Sequence, residues 1–161
     1  MLNWQSMVNR FFRASIGTVV YNDNNDVAFF ERLQHPEGIW QFQQGGIDIG
    51  EHFEEALWRE VQEEIGLLKE NFDVITEREG WTLYEDAPAL HDKTIVRLGQ
   101  VHHWYFLKLK SDIEIDLSKA TDNEFKNWKW VTFDEAVSLT NPNKQHVYKM
   151  LQEFFLEHLA T

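Results

Sequence analysis

The residues best suited to chemistry lie between Gly45 and Leu67, in the stretch GGIDIGEHFEEALWREVQEEIGL. Drawn as a helix, Phe53, Ala56 and Leu57 share a face that Glu60 and Glu64 continue, with Glu63 beside them. Side chains at i, i+3 and i+4 have Cβ atoms about 5–6 Å apart, so three carboxylates there repel, more strongly when shielded from water. Either that face is solvated, the common fate of a Glu-rich helix, or it gathers a cation. Here the acids prolong an apolar stripe, and a second line, Trp58, Val61 and Ile65, buries another side of the helix. An all-oxygen donor set suits a hard cation, Mg²⁺ first and Mn²⁺ second. Glu51 precedes Arg59 by eight residues, which lets a loop carboxylate pair with the helix guanidinium. Gly45 and Gly46 give that loop its close approach.

The same residues carry a family resemblance. The stretch resembles the Nudix box, G-x5-E-x7-R-E-U-x-E-E-x-G-U with U a bulky aliphatic. Gly45, Glu51, Arg59, Glu60, Val61, Glu63, Glu64, Gly66 and Leu67 fill every specified position. The resemblance implies an α+β fold, an α/β/α sandwich around a mixed sheet with the box as loop-helix-loop. It also implies Mg²⁺-dependent hydrolysis of a nucleoside diphosphate linked to another group. Metal ions on Glu60 and Glu64, with Glu63 contributing, would neutralise the phosphates, acidify a water and stabilise the leaving group. Gly45, Glu51, Arg59 and Gly66 are structural in this pattern. Arg59 is expected on the side of the helix away from Glu60, paired with Glu51.

Beyond the box the chain resembles one branch of the family, the dinucleoside polyphosphate hydrolases and bacterial RNA 5′-pyrophosphohydrolases. Trp40-Gln41-Phe42-Gln43-Gln44-Gly45-Gly46 is similar to that branch's W-Q-F-P-Q-G-G run, with Gln43 in place of proline. Gly99-Gln100 followed by Trp104 resembles its G-Q-x-Q-x-W-F strand, with His102 where glutamine is usual. Glu124-Phe125 with Trp128 and Trp130 resembles E-F-x-x-W-x-W, which implies that Glu124 is a metal ligand or general base. Arg13, Gln44, His102 and Lys144 become candidate substrate contacts, and Tyr84 a candidate base-stacking ring. Arg13 and Lys144 equally suit solvated surface charges, Glu124 an ordinary loop carboxylate, and Tyr84 a core aromatic. His102 and His103, adjacent on a strand, point to opposite faces and cannot chelate one ion together.

These side chains need a scaffold, and the pattern along the chain supplies one. Strands are predicted at 14–21, at 27–33 as the return of a hairpin through Asn22–Asn25, and around Trp40–Phe42 before a change of direction at Gln44–Gly46. Further strands are predicted at 72–79, 101–109 and 126–132. Helices are predicted at 52–65, stopped by Gly66, at 134–139 and at 144–159. The last carries Val147, Met150, Leu151, Phe154, Phe155 and Leu159 at core-packing spacing. No repeat or linker interrupts the pattern, so residues 1–161 read as one domain.

Composition narrows the partners. The chain has 161 residues and a net charge of −12, which excludes broad non-specific polyanion binding through Lys and Arg. Half of that charge sits in 45–67, where seven acids face Arg59 alone, so part of the acidity is a cation site read without its cations. A nucleotide polyphosphate therefore remains a fitting substrate, and the acidity favours a dinucleoside polyphosphate over a long RNA, whose 5′ end is the other candidate. A nucleotide-sugar or modified-nucleotide hydrolase is the alternative enzyme. A nucleotide-sensing domain without catalysis is expected to lose its metal-binding glutamates, which this chain keeps. There are no cysteines, no leader-like opening and no run near the roughly 20 apolar residues of a membrane span, so a cytoplasmic protein is expected.

Overall fold

The structure is a computed structural model and describes residues 9–34, 38–86 and 95–161. Residues 1–8, where the absence of a leader is read, lie outside the described residues. The strands are β1 (Asn9–Tyr21), β2 (Val27–Arg32), β3 (Trp40–Gln41), β4 (Gln43–Gly46), β5 (Phe72–Glu85), β6 (Ile95–Leu109) and β7 (Phe125–Val131). The helices are α1 (Phe53–Ile65), α2 (Phe133–Leu139) and α3 (Gln145–His158). One mixed sheet runs β3-β2-β1-β6-β5, with β4 paired to β1 and β7 to β2. β1 and β6 are parallel from Asn9↔Ile95 to Tyr21↔Lys108, and the other pairs are antiparallel.

Alternation along the central strands builds a layer on each side. Ile16, Val20, Tyr105 and Leu107 face Ala56, Leu57, Val61 and Ile65 of α1. Val19, Tyr21, Trp104 and Phe106 face Phe133, Ala136, Tyr148, Leu151 and Phe155 of α2 and α3. Leu57 and Ile65 are fully buried, and such a side chain contributes about 1.5–3 kcal/mol by leaving water. The α/β/α sandwich therefore follows from two-residue periodicity in the sheet and the apolar stripes of the helices. Among the described residues no helix is long and apolar enough to cross a membrane.

The expected hairpin forms at its turn but separates beyond it. The turn forms, with the Asn22 side chain accepting the Asn24 and Asp26 amides, but β1 and β2 pair only at Tyr21↔Val27. β2 then runs with β7, and the flank of β1 is taken by β4, where Ser15 to Thr18 pair with Gly46 to Gln43. Gln43–Gly46 is thus strand where a change of direction is expected, because its backbone groups find partners on β1. β5 and β6 also outrun their predicted lengths. A register shift between Arg78 and Trp81 carries β5 past Gly80, beyond the predicted strand end at residue 79. Helix α1 matches its predicted span, opened by the Glu55 carboxylate accepting the His52 amide at 3.0 Å. Gly66 closes it at φ 70°, a left-handed conformation that suits glycine.

Candidate active site

The pairing of β4 on β1 carries the loop before α1 against the helix. Gly45 lies so close to Glu60 that a Cβ at position 45 would overlap the carboxylate, which explains a residue without a side chain there. Glu51 takes Arg59 in a two-pronged grip, Nε to Oε1 at 2.7 Å and Nη2 to Oε2 at 2.8 Å. The same Nη2 donates to the Gly46 carbonyl at 2.9 Å. Arg59 is not turned away from Glu60 as the helical wheel suggests. Its Nη1 donates to Glu60 Oε1 at 2.8 Å and to Glu63 Oε2 at 3.1 Å. Successive side chains diverge by about 100° around a helix, but the arginine stem is long enough to return its head to the neighbouring carboxylate.

The three box glutamates line a cavity of about 490 Å³. Glu124, on the loop before β7, lines it from the other side and is paired with Arg32 Nη2. The loop is tied to α1 where the Asp122 amide donates to the Glu63 carbonyl at 2.8 Å. A second cavity of about 710 Å³ adjoins the first and includes Gln41, Tyr84, Asp86, Asn143 and Lys144 in its wall. Arg32, Gln44, Arg97 and Gln100 line both cavities and form the threshold between them.

The model of the NUDIX domain matches residues 11–154. The chain belongs to the Nudix family. An RNA pyrophosphohydrolase of Shewanella oneidensis is 38% identical, the match covering 92% of this chain and 87% of that protein. An RNA pyrophosphohydrolase of Francisella tularensis subsp. mediasiatica is 36% identical over 92% of this chain and 96% of its own. Among solved structures, the E. coli dihydroneopterin triphosphate pyrophosphohydrolase superposes with a TM-score of 0.66 at 22% identity, covering 88% of this chain and 98% of that one. A C. elegans Ap4A hydrolase has a TM-score of 0.66 at 20% identity, over 90% and 98% of the two chains. These structures share the Nudix fold, and the family makes this chain a hydrolase acting on phosphoric anhydrides.

Electrostatics in the Nudix box follow from burial. Glu60 and Glu64 are each only 7% exposed. Burial raises the pKa of Glu60, against the opposing pull of Arg59. Glu64 is raised well above the usual carboxylate range, by burial first and then by the charges of Glu60 and Glu124, against the hydrogen bond from Gln43. Glu64 sits in the last turn of α1, where the helix dipole also disfavours an anion and no basic residue is present. Glu51 is lowered by its hydrogen bonds from Arg59.

Nudix hydrolases in general need divalent metal ions, and the donors here suit one. They are carboxylate oxygens in a polar cavity, and burial makes their ionised forms costly without a cation. Among the described residues no three His, Asp or Glu side chains form a ready-made ion cage. Arg59 instead holds Glu60 and Glu63, the part a cation would compete for.

The other predicted residues divide between the cavities. Arg13 lines the acidic one, and Gln44 stands on the threshold, donating to the Tyr84 hydroxyl at 3.1 Å. Tyr84 and Lys144 share the second cavity, with Lys144 Nζ 5.0 Å from the Tyr84 ring centre and donating to Gln41 Oε1 at 3.1 Å. Burial lowers the Lys144 pKa to about 8, with the charge of Arg32 adding to it. His102 is not at either cavity wall. It is fully buried and stacked on Tyr84, ring centroids 5.3 Å apart, with neither ring nitrogen partnered among the described residues. Burial first, then the charges of Lys144 and Arg13, lower its pKa to about 3, so the ring is neutral. His103 faces the opposite side, where Nε2 lies 2.6 Å from Glu77 Oε1.

Sequence reasoning missed Arg32, Arg97, Asp86 and the hydrogen-bonding role of Gln43. Arg32, which with Glu31 ends a strand opened by the apolar run Val27–Phe30, carried the clearest unused signal. Arg97 and Asp86, paired at 2.6 Å, lie on strand flanks with no local pattern.

Proposed function

We propose that this Nudix hydrolase is a Mg²⁺-dependent pyrophosphohydrolase acting in the cytoplasm on the 5′-triphosphate end of RNA. The observation that carries the reading is the threshold. A cavity walled by an aromatic ring and unpaired polar atoms opens, across two arginines, into a cavity of carboxylates. Gln41 Nε2, Gln44 Oε1 and Arg32 Nε are buried there without a protein partner among the described residues, which suits a polar ligand such as a base. A terminal nucleoside fits beside Tyr84, and its phosphates cross between Arg32 and Arg97 toward the box. The two named relatives at 38% and 36% identity are RNA pyrophosphohydrolases.

In this reading Glu60, Glu64 and Glu63 hold Mg²⁺ or Mn²⁺, with Glu124 as a further ligand or as the base. The bound ion supplies phosphate charge neutralisation and a more acidic water. Glu51 restrains Arg59, so the guanidinium releases Glu60 and Glu63 to a cation without leaving the loop. Arg13, Arg32 and Arg97 orient the phosphates by charge-assisted hydrogen bonds. Glu124, facing the box from its own loop, receives the proton of the attacking water when it is not a ligand. Lys144 adds positive charge beneath the aromatic ring.

A second reading, hydrolysis of a dinucleoside polyphosphate, is favoured by the net charge of −12, which repels the body of a long RNA but not a compact substrate. A Mg²⁺-dependent panel separates the two, comparing triphosphorylated RNA oligonucleotides, diadenosine tetraphosphate, ADP-ribose and GDP-mannose. Highest kcat/KM on the triphosphorylated RNA is expected. Preference for diadenosine tetraphosphate selects the second reading, and no turnover with nucleotide binding retained overturns both.

A further inference from the structure

Glu60 and Glu63 are held by Arg59, whereas Glu64 has no ion-pair partner among the described residues. What it has is Gln43. The Gln43 Nε2 amide donates to Glu64 Oε2 at 2.9 Å, and its Oε1 accepts the Thr18 hydroxyl at 2.7 Å. Gln43 and Thr18 are opposite residues of the β1–β4 ladder, and both are buried, at 0% and 1% exposure. Position 43 is also where the chain departs from the W-Q-F-P-Q-G-G run, and proline has no side-chain donor to offer.

We propose that Gln43 is a positioning residue for Glu64, itself held in register by Thr18. A carboxylate without a partner turns freely about its last bond, and a fixed amide selects one orientation. The amide commits one oxygen of Glu64 and leaves the other to a divalent cation in the cavity. Hydrogen-bonding partners of metal-ligating side chains commonly change metal affinity or activity by about 10–100-fold when removed. The Thr18–Gln43–Glu64 relay is that kind of support, built on the rigid β1–β4 pairing rather than on a loop. It rests on the reading of Glu64 as a metal ligand.

The test is Mn²⁺ binding to the substrate-free protein, followed by the loss of the free-ion electron paramagnetic resonance signal, with Tm recorded in parallel. Wild type, Glu64→Gln, Gln43→Met and Thr18→Val are compared. Gln43→Met is expected to weaken Mn²⁺ binding by about tenfold or more, and Thr18→Val by a smaller factor in the same direction. The lost kcat of Gln43→Met should return as metal concentration rises. A purely structural Gln43 lowers Tm and leaves Mn²⁺ affinity within twofold of wild type, and that result overturns the proposal. Should Gln43→Met fail to fold, Thr18→Val decides in the same assay, and unchanged affinity overturns it. If wild type binds no Mn²⁺, or Glu64→Gln binds it as tightly as wild type, the metal reading falls and takes the proposal with it. With both controls behaving, unchanged affinity in Gln43→Met removes this proposal alone.

Discussion

The two adjoining cavities are built in opposite ways. The acidic one draws most of its carboxylates from a single loop and helix, with Asp48, Glu60, Glu63 and Glu64 within seventeen consecutive positions. The aromatic one is assembled from β2, β3, β4, β5, β6 and the turn before α3, with lining residues spread from Arg32 to Lys144. The first is electrostatically strained and held by a charged clamp. The second is held by packing, with Tyr84 between His102 and Lys144. Chemistry that needs several like charges at fixed spacing is concentrated on one rigid element, because a helix sets that spacing by itself. Selection of a ligand needs surfaces converging from several directions, which only the tertiary fold provides.

The largest loss is expected from the acidic side. Glu64→Gln keeps size and the hydrogen-bonding partners but removes the charge, and kcat is expected to fall about 10²–10³-fold with KM little changed. Steady-state kinetics with a nucleotide polyphosphate checks it. A rise in KM with kcat unchanged would assign Glu64 to binding and erase the distinction between the cavities.

The clamp comes next. Glu51→Ala leaves Arg59 without its two-pronged partner, and the partly exposed pair is worth about 1–2 kcal/mol. For a chain of this length that is a Tm loss of roughly 3–6 °C, measured by thermal unfolding at low salt. Arg59 would then lean more heavily on Glu60 and Glu63, so the metal concentration for half-maximal activity should rise. A stable Glu51→Ala variant with unaltered metal dependence would show that the loop needs no clamp.

This contrast also sets what the sequence could disclose. The box was legible because nine residues repeat a spacing that one helix and its loop enforce, and Gly66 marked the helix end. Strand lengths were less legible: β1, β5 and β6 extend because each finds a backbone partner, which local alternation does not encode. The hairpin is short for the same reason, since Asn22–Asn25 specifies a turn and an antiparallel return but not how far β2 stays paired with β1. Tyr84 and Lys144 were legible only through resemblance. Arg97 carried no local signal and that of Arg32 was slight, because their roles arise where two cavities meet. Arg59 failed differently: a wheel shows where a side chain departs, not where a long one ends.

The aromatic cavity is expected to respond through binding. Lys144→Met should raise KM by about tenfold, equal to about 1.4 kcal/mol, with kcat nearly unchanged. The wild-type lysine carries its charge below about pH 8 and loses it above. So kcat/KM should fall as pH rises through that value, and Lys144→Arg should push the fall to higher pH. The stability effect has the opposite sign. The folded pKa lies below the unfolded one, so burying the charged lysine is costly below pH 8, and wild-type stability gains on Lys144→Met between pH 8 and the unfolded pKa. Lys144→Met is therefore no less stable at pH 7 while binding more weakly, a combination that lost packing would not produce.

The smallest expected effect distinguishes the ring of Tyr84 from its hydroxyl. Tyr84→Phe keeps the face against His102 and Lys144 and removes only the acceptor for Gln44 Nε2. A neutral hydrogen bond of this kind contributes about 0.5–1.5 kcal/mol net, so KM should rise between twofold and tenfold with kcat unchanged. Gln44 also stands on the threshold, where its amide lies within 3.4 Å of Gln100 Oε1. Freed from Tyr84, it can turn to Gln100 and recover part of the loss, which places the expected change toward twofold. A fall in kcat instead would mean that the Tyr84–Gln44 contact is felt at the carboxylates, and the two cavities would then work as one.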